Sequence, residues 1–280
     1  MVVVDDGSTD ESRNIIRGFG RRVRLHESAH RGAAAARNRG QEVARGDYWL
    51  FLDADDVLLP DAATALLDAI QRTRANCAYG NIHFVDAALV PIGDWLHQAT
   101  ERSTVRQFLK AVPITSGVLC SSKSKITWDE TKFVCNEFYY FMMRAIDGDI
   151  FVPIPQFTAL VREHGAPDRL SNGNSATFMS VLGQYWEEIE LRLWQKNLID
   201  SDVRAILSDK YLGLCIGCRR AGLRELSKQY AAKVDGELLR KLPDFRWFSS
   251  RGAFVLGGAR GVTLANEWLE WLRHRSITTR

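Results

Sequence analysis

The chain has 280 residues, 46% hydrophobic and 25% charged, which suits a globular protein with one large domain or one and a half. A net charge of +3 is too small to mark a nucleic-acid binder, and no run approaches the roughly 18 apolar residues of a membrane span. Five cysteines, odd in number and mostly in apolar contexts, fit the reduced thiols of a cytoplasmic protein; Cys215-x-x-Cys218 has no second pair to complete a zinc site and reads as helix core.

In chain order, Val2 to Val4 read as a buried strand, and a secretory leader is not expected because that run breaks at once into Asp5-Asp6. Gly7 permits a turn, and Ser8, Thr9 or Asp10 can cap the helix that Ile15, Ile16 and Phe19 continue. Ligands of such strand-turn-helix units lie beyond the carboxyl ends of the strands, where Asp5 and Asp6 fall. Val23 to Leu25 suit an edge strand. The alanine-rich stretch 30–40 predicts a helix stopping near Gly46, with Arg31, Arg37 and Arg39 around it. Arginine matches phosphate bidentately, so one of the three is a candidate for an anionic ligand.

Tyr48 to Leu52 form a short apolar run, predicted as a strand buried on both faces, which empties into Asp53-Ala54-Asp55-Asp56. Three carboxylates crowded at a strand end raise one another's pKa, and a hard cation such as Mg²⁺ is their simplest partner. An acidic surface loop is the plainer alternative.

Together, Val3-Val4-Asp5-Asp6-Gly7-Ser8-Thr9-Asp10, Gly32 with Ala36-Arg37-Asn38-Arg39-Gly40, and Phe51-Leu52-Asp53-Ala54-Asp55-Asp56 with Pro60 resemble the family 2 glycosyltransferases. The resemblance implies a GT-A fold: α/β, with a mixed, mainly parallel sheet flanked by helices. It implies a nucleotide-diphosphate sugar as donor, with Asp5 and Asp6 on the nucleoside and Asp53 near the ribose and sugar. Asp55 would ligate Mg²⁺ or Mn²⁺, and Arg37 would meet the pyrophosphate. The family pattern opens with a further strand and helix, whereas this chain opens on what would be the second strand. Without that strand the sheet loses a central member, so the chain as given is expected to be poorly stable and weakly active.

Residues 61–73 carry apolar side chains at helical spacing, and Cys77 to Asp86 read as a strand in which His83 is more simply a satisfied strand histidine than one facing the pocket. Residues 87–105 read as an irregular loop. Pro113 to Cys120 read as turn and strand, followed by a helix beginning near Asn136. Glu137 is a lone acid at that helix start. Attack by an acceptor hydroxyl needs a carboxylate to take its proton, and a helix N-terminus helps hold the charge. Cys135-Asn136-Glu137-Phe138 also resembles the Cys-Gln-Glu-Tyr variant of the family's acidic motif, departing from it at Asn136; capping alone is the simpler role. Trp128 and Phe138 are candidates for stacking on sugar rings or for the core. Residues 148–153 read as a final strand, and the segment through Arg162-Glu163-His164 resembles a family segment near the active site. That likeness makes Arg162 a diphosphate contact and His164 a metal ligand.

From Leu170 the chain reads as helices over 175–197, 202–221 and 225–241, giving a transferase domain at 1–168 and a helical extension at 169–280. The terminal Trp268 to Arg275 is amphipathic with a basic end, suited to core packing or to the inner face of a membrane. The expectation is an inverting, metal-dependent glycosyltransferase of cell-surface glycan synthesis, cytoplasmic, acting on a saccharide or lipid-linked acceptor. Two rivals are a non-catalytic protein of the same fold and a haloacid-dehalogenase-like phosphatase, whose D-x-D-x-V signature residues 53–57 also fit. The phosphatase reading leaves Asp5 to Asp10 unexplained.

Overall fold

The computed structural model describes residues 1–96, 101, 103–124, 126–132, 135–163 and 175–236. Two compact units are present, Met1–Val203 and Arg204–Arg280. The first opens with strand β1 (Val2–Asp5), helix α1 (Ser12–Gly18), a 3-10 turn at Gly20–Arg22 and strand β2 (Arg24–Glu27). The two strands pair in parallel, Val2 opposite Arg24 and Asp5 opposite Glu27, as a sheet of their own. Val2 to Val4 are therefore half-buried, not fully buried as their apolar run predicts.

Helix α2 (Ala33–Val43) follows, then strands β3 (Tyr48–Leu50) and β4 (Val57–Leu58), helix α3 (Ala62–Thr73), and strands β5 (Cys77–Val85) and β6 (Pro91–Trp95). Helix α4 (Thr104–Lys110), a 3-10 turn at Thr115–Gly117, strand β7 (Val118–Ser121), helix α5 (Asn136–Ile146), strand β8 (Phe151–Arg162) and helix α6 (Ser175–Gln195) complete the unit. The larger sheet has the order β3-β7-β5-β8-β4, with β6 also on β5. It is mixed as expected but not mainly parallel: of the pairings among the described residues, β1–β2 and β5–β8 are parallel and the other four antiparallel. β3 lies at the end of the order and is half-buried, which corrects the expectation of a strand covered on both faces.

β5 is the axis of the unit because both of its edges are occupied, by β8 on one side and by β7 then β6 on the other. α3 covers it: Leu66, Ala69 and Ile70, spaced to share one helix face, pack with Ala78, Leu119 and Ile154. Two expectations fail here. Residues 87–105 are not all loop, because Pro91–Trp95 pairs with Ile82 to Val85 as β6. The final strand predicted at 148–153 is the start of a longer one, β8, which runs on to Arg162; Pro153 pairs with Tyr79, and the register then shifts so that Phe157 meets Asn81. α2 also stops at Val43, short of Gly46, where Ala44 turns extended.

The second unit contains most of helix α7 (Ser201–Arg220) and helix α8 (Arg224–Ala231). Tyr211 stacks on Tyr230 at 5.9 Å, and Ser227 Oγ donates to the Cys215 carbonyl at 2.8 Å. All five cysteines are free thiols, and Cys218 is buried as the helix-core reading expects. The amphipathic segment 268–275 lies outside the described residues. Among the described residues, no helix is long and apolar enough to cross a membrane.

Candidate active site

The acidic loop leaves β3 through a tight turn in which Asp56 N donates to the Asp53 carbonyl at 3.1 Å. Its three carboxylates have different surroundings. Asp56 is drawn inward: its Oδ2 accepts from Ser116 Oγ at 2.5 Å and its Oδ1 from the backbone N of Arg162 at 3.0 Å. Burial pushes its pKa up, helped by the nearby Asp53 and Asp55 charges and opposed by those two hydrogen bonds. Ser116 also accepts from Asp53 N at 3.3 Å, so one hydroxyl ties both ends of the turn to the segment before β7. Asp53 is half-exposed, and its Oδ1 accepts from Arg37 Nη2 at 2.6 Å.

Arg37, in the first half of α2, is the basic residue that reaches this loop. Its Nη1 donates to Asn136 Oδ1 at 3.2 Å, and its guanidinium lies 4.5 Å from the centre of the Trp128 ring. The other two arginines point elsewhere, Arg31 to Glu130 and Arg39 to Glu42. Trp128 is 1% exposed and stacks on Tyr140 at 4.0 Å. With Tyr140 against it and no surface left open, Trp128 is a wall of the Arg37 seat, which corrects its assignment as a sugar platform. Phe138 packs against Trp186 at 5.1 Å.

Asn136 begins α5 directly after Cys135, whose φ of 49° turns the chain into the helix, and Glu137 follows in the first turn. Glu137 is partly exposed and, among the described residues, makes no hydrogen bond or ion pair. A carboxylate at the first turn of an 11-residue helix, with its oxygens uncommitted, suits a general base. Arg162 ends β8 beside Asp56, and among the described residues its buried Nε has no hydrogen-bond partner. A buried, unsatisfied guanidinium N–H is costly, so an anion there would be stabilising. His164 lies outside the described residues.

Asp5 and Asp6 serve the corner between β1 and α2. Asp5 is 4% exposed; Ser8 N donates to both of its oxygens at 3.3 Å and Arg13 Nε donates at 2.6 Å. Hydrogen bonds from Ser8 and Arg13 hold its pKa below the usual carboxylate value. Asp6 accepts from the backbone N of Arg31 at 2.9 Å and of Gly32 at 2.7 Å; the Gly32 φ of 95° presents that N–H. The structure thus joins Asp53, Asp56, Arg37, Asn136 and Arg162 in one hydrogen-bonded group and holds Asp5 and Asp6 in a second. Sequence reasoning missed Ser116, Arg13 and Asn38. Asn38 lies in the Ala-Arg-Asn-Arg-Gly stretch, donating to the Trp128 carbonyl and accepting from its N–H, each at 2.8 Å. His83 pairs with Asp94 at 2.6 Å and stacks on Phe157, a satisfied strand histidine.

Among the described residues, no group of three or more Asp, Glu, His or Cys side chains is gathered to hold a metal ion. Mg²⁺ is commonly held by one or two carboxylates with the remaining positions left to water and phosphate oxygens. Asp55 beside half-exposed Asp53 fits that sparser donor set. A cleft of about 490 Å³ behind Trp128, lined by Asn38, Glu130, Tyr139, Asp147 and Arg192 among others, touches none of the acidic-loop residues.

Residues 1–129 match the family described as "Glycosyl transferase family 2". An uncharacterized glycosyltransferase of Haemophilus influenzae is 39% identical over 90 residues, covering 31% of this chain and 36% of that protein. Glycosyltransferase GlyG of Streptococcus pneumoniae is 38% identical over 90 residues, 31% of this chain and 30% of that protein. The matched stretch spans about a third of these relatives' length. S. aureus TarS 1–349 in complex with UDP superposes with a TM-score of 0.59 at 13% identity, covering 92% of this chain and 87% of that one. The same protein with UDP-GlcNAc gives 0.57 at 13% identity, covering 92% and 88%. At that identity the likeness is one of fold, and the fold is GT-A.

Proposed function

Because residues 1–129 match glycosyltransferase family 2, we propose that the chain transfers a sugar from a nucleotide-diphosphate donor to an acceptor hydroxyl, with inversion, in the synthesis of a cell-surface glycan. The observation that carries this reading is one guanidinium joining the acidic loop to the first turn of α5: Arg37 bonds both Asp53 and Asn136, the neighbour of Glu137. The acidic loop and the helix turn that carries Glu137 are thereby joined through one side chain. TarS in complex with UDP and UDP-GlcNAc supports a UDP-sugar as donor.

In this reading residues 1–168 are the transferase domain and 169–280 a helical extension. Asp55, with Asp53, holds Mg²⁺ or Mn²⁺, and His164 is a further candidate ligand. When bound, the ion neutralises charge on the departing nucleoside diphosphate. The Arg162 guanidinium contributes a donor to the diphosphate, and Arg37 keeps Asp53 oriented. Asp5 and Asp6 serve the nucleoside, and Asp6, 18% exposed at its side chain against 2% for Asp5, is the more accessible of the two. Glu137 takes the proton of the acceptor hydroxyl as its oxygen attacks the anomeric carbon from the side opposite the leaving group. The protein acts in the cytoplasm, with peripheral contact to the inner membrane face where the acceptor is lipid-linked.

Calorimetric titration of UDP, GDP and dTDP sugars with and without Mn²⁺, repeated with Asp55→Ala, tests the reading. We expect one donor to bind in a Mn²⁺-dependent way and to lose roughly tenfold or more in affinity in Asp55→Ala, as when a charged ligand group is removed. Equal binding in the variant rejects the metal assignment, and no binding by any donor rejects the function.

A further inference from the structure

Arg37 is fixed from several directions. Its two terminal nitrogens are divided between Asp53 (2.6 Å) and Asn136 (3.2 Å), and its plane rests by Trp128 at 4.5 Å. Trp128 is held in turn by Tyr140 of α5, stacked on it with 5° between the ring planes, and by the paired hydrogen bonds from Asn38. Asn136 is 9% exposed, so its carboxamide is buried against the arginine. Successive residues of an α-helix are rotated by about 100° around its axis. Anchoring Asn136 to Arg37 therefore fixes the direction in which the Glu137 side chain leaves α5.

From this geometry we infer that Asn136 is a positioning residue. Through Arg37, its carboxamide oxygen sets the rotation of the first turn of α5, and so of the Glu137 carboxylate, against Asp53 of the donor-side loop. The inference rests on the reading of Glu137 as the base. A side-chain oxygen suits the task, accepting one N–H of Arg37 while Asp53 accepts the other. Lysine in place of Arg37 would not serve, since a single ammonium lacks the planar fork that spans two acceptors.

The test is steady-state transfer by the full chain with the sugar nucleotide that the calorimetric titration selects. Asn136→Ala is expected to lower kcat roughly ten- to a hundredfold while donor KM stays within about twofold, because alignment and not ground-state binding is lost. Asn136→Asp, which keeps an oxygen in place, is expected to recover most of kcat. Arg37→Lys provides a second route: if Asn136 acts through Arg37, Asn136→Ala adds little in the Arg37→Lys background. Wild-type kcat in Asn136→Ala, no recovery in Asn136→Asp, or additive losses in the double variant would each overturn the inference while leaving the function intact. An inert wild-type chain overturns both, and that result is distinct because it appears before any substitution is made.

Discussion

Ser116 shares one hydroxyl between two groups of the acidic loop, donating to the Asp56 carboxylate and accepting from the Asp53 backbone N–H. Ser116 is fully buried, so no water can replace it without cost. Ser116→Ala is expected to lower stability by roughly 1–3 kcal/mol, the usual penalty for leaving a buried polar group unsatisfied. Urea denaturation measures this, and an unchanged midpoint would show that the loop does not depend on the bond. Residues of this kind explain what the sequence could and could not disclose. Asp53, Asp55 and Glu137 are legible because their chemistry stands out beside their immediate neighbours. Ser116, Asn38 and the bond made by Asn136 are not, because their partners lie 63, 90 and 99 residues away. Asn136 did stand out as a departure from the resembling motif, but its meaning required seeing Arg37 beside it.

At the scale of elements, helices with a strong apolar stripe were legible: α3 begins and ends within a residue of its expected place, and α5 begins where expected. Strands were harder. β6 was hidden by the Pro-Ile-Gly of its sequence, and the expected final strand stops at Pro153 although β8 runs on through Pro155 to Arg162, prolines being residues that cannot donate to a ladder. The structure tolerates them because the register between β5 and β8 shifts there: Asn81 Nδ2 donates to the Pro155 carbonyl at 2.8 Å, and Gly80 leaves room for the passing chain. A Cβ at Gly80 would lie 2.2 Å from Thr158 Cγ2 and 2.8 Å from the Gln156 carbonyl oxygen. Gly80→Ala is therefore expected to cost roughly 1–3 kcal/mol or more by overpacking, seen as a fall in melting temperature of several degrees. Thr158→Ala should relieve only part of it, since the Gln156 backbone stays in the way. A melting temperature equal to wild type would contradict the close approach of β5 and β8.

For the whole molecule, the pH dependence of stability carries opposing contributions. Asp5, Asp10 and Asp200 have lowered pKa values, through hydrogen bonds from Ser8 and Arg13, from Ser12, and from Val203 N and Arg106 respectively. Such groups stabilise the fold above the ordinary value of 3.8, and that stability is lost as pH falls through their lowered values. Asp56 and Asp209, raised by burial, act in the other sense and favour the fold on acidification. Arg13→Ala isolates one contribution. We expect it to be destabilising near neutral pH and to flatten the fall in stability below pH 3.8, measured by urea midpoints across an acid series. A slope as steep as wild type would mean that Asp5 is not held by Arg13. The overall organisation was only partly legible. An α/β region followed by helices could be read from the change in periodicity, whereas a sheet divided in two depends on pairings that no local pattern encodes.

The irregular stretch of β8 changes the phase of the strand. Between two matched positions, Tyr79 to Ile82 takes three steps along β5 while Pro153 to Ala159 takes six along β8. The excess is odd, and strand side chains alternate between faces, so the portion of β8 beyond the prolines presents the opposite parity to the portion before them. Val161 and Arg162 owe their faces to that inversion. Losing a single residue between Pro153 and Ala159, where the irregular stretch keeps its form and the pairing beyond slips by one, turns them over and moves a guanidinium away from the acidic loop without altering any residue of the site itself.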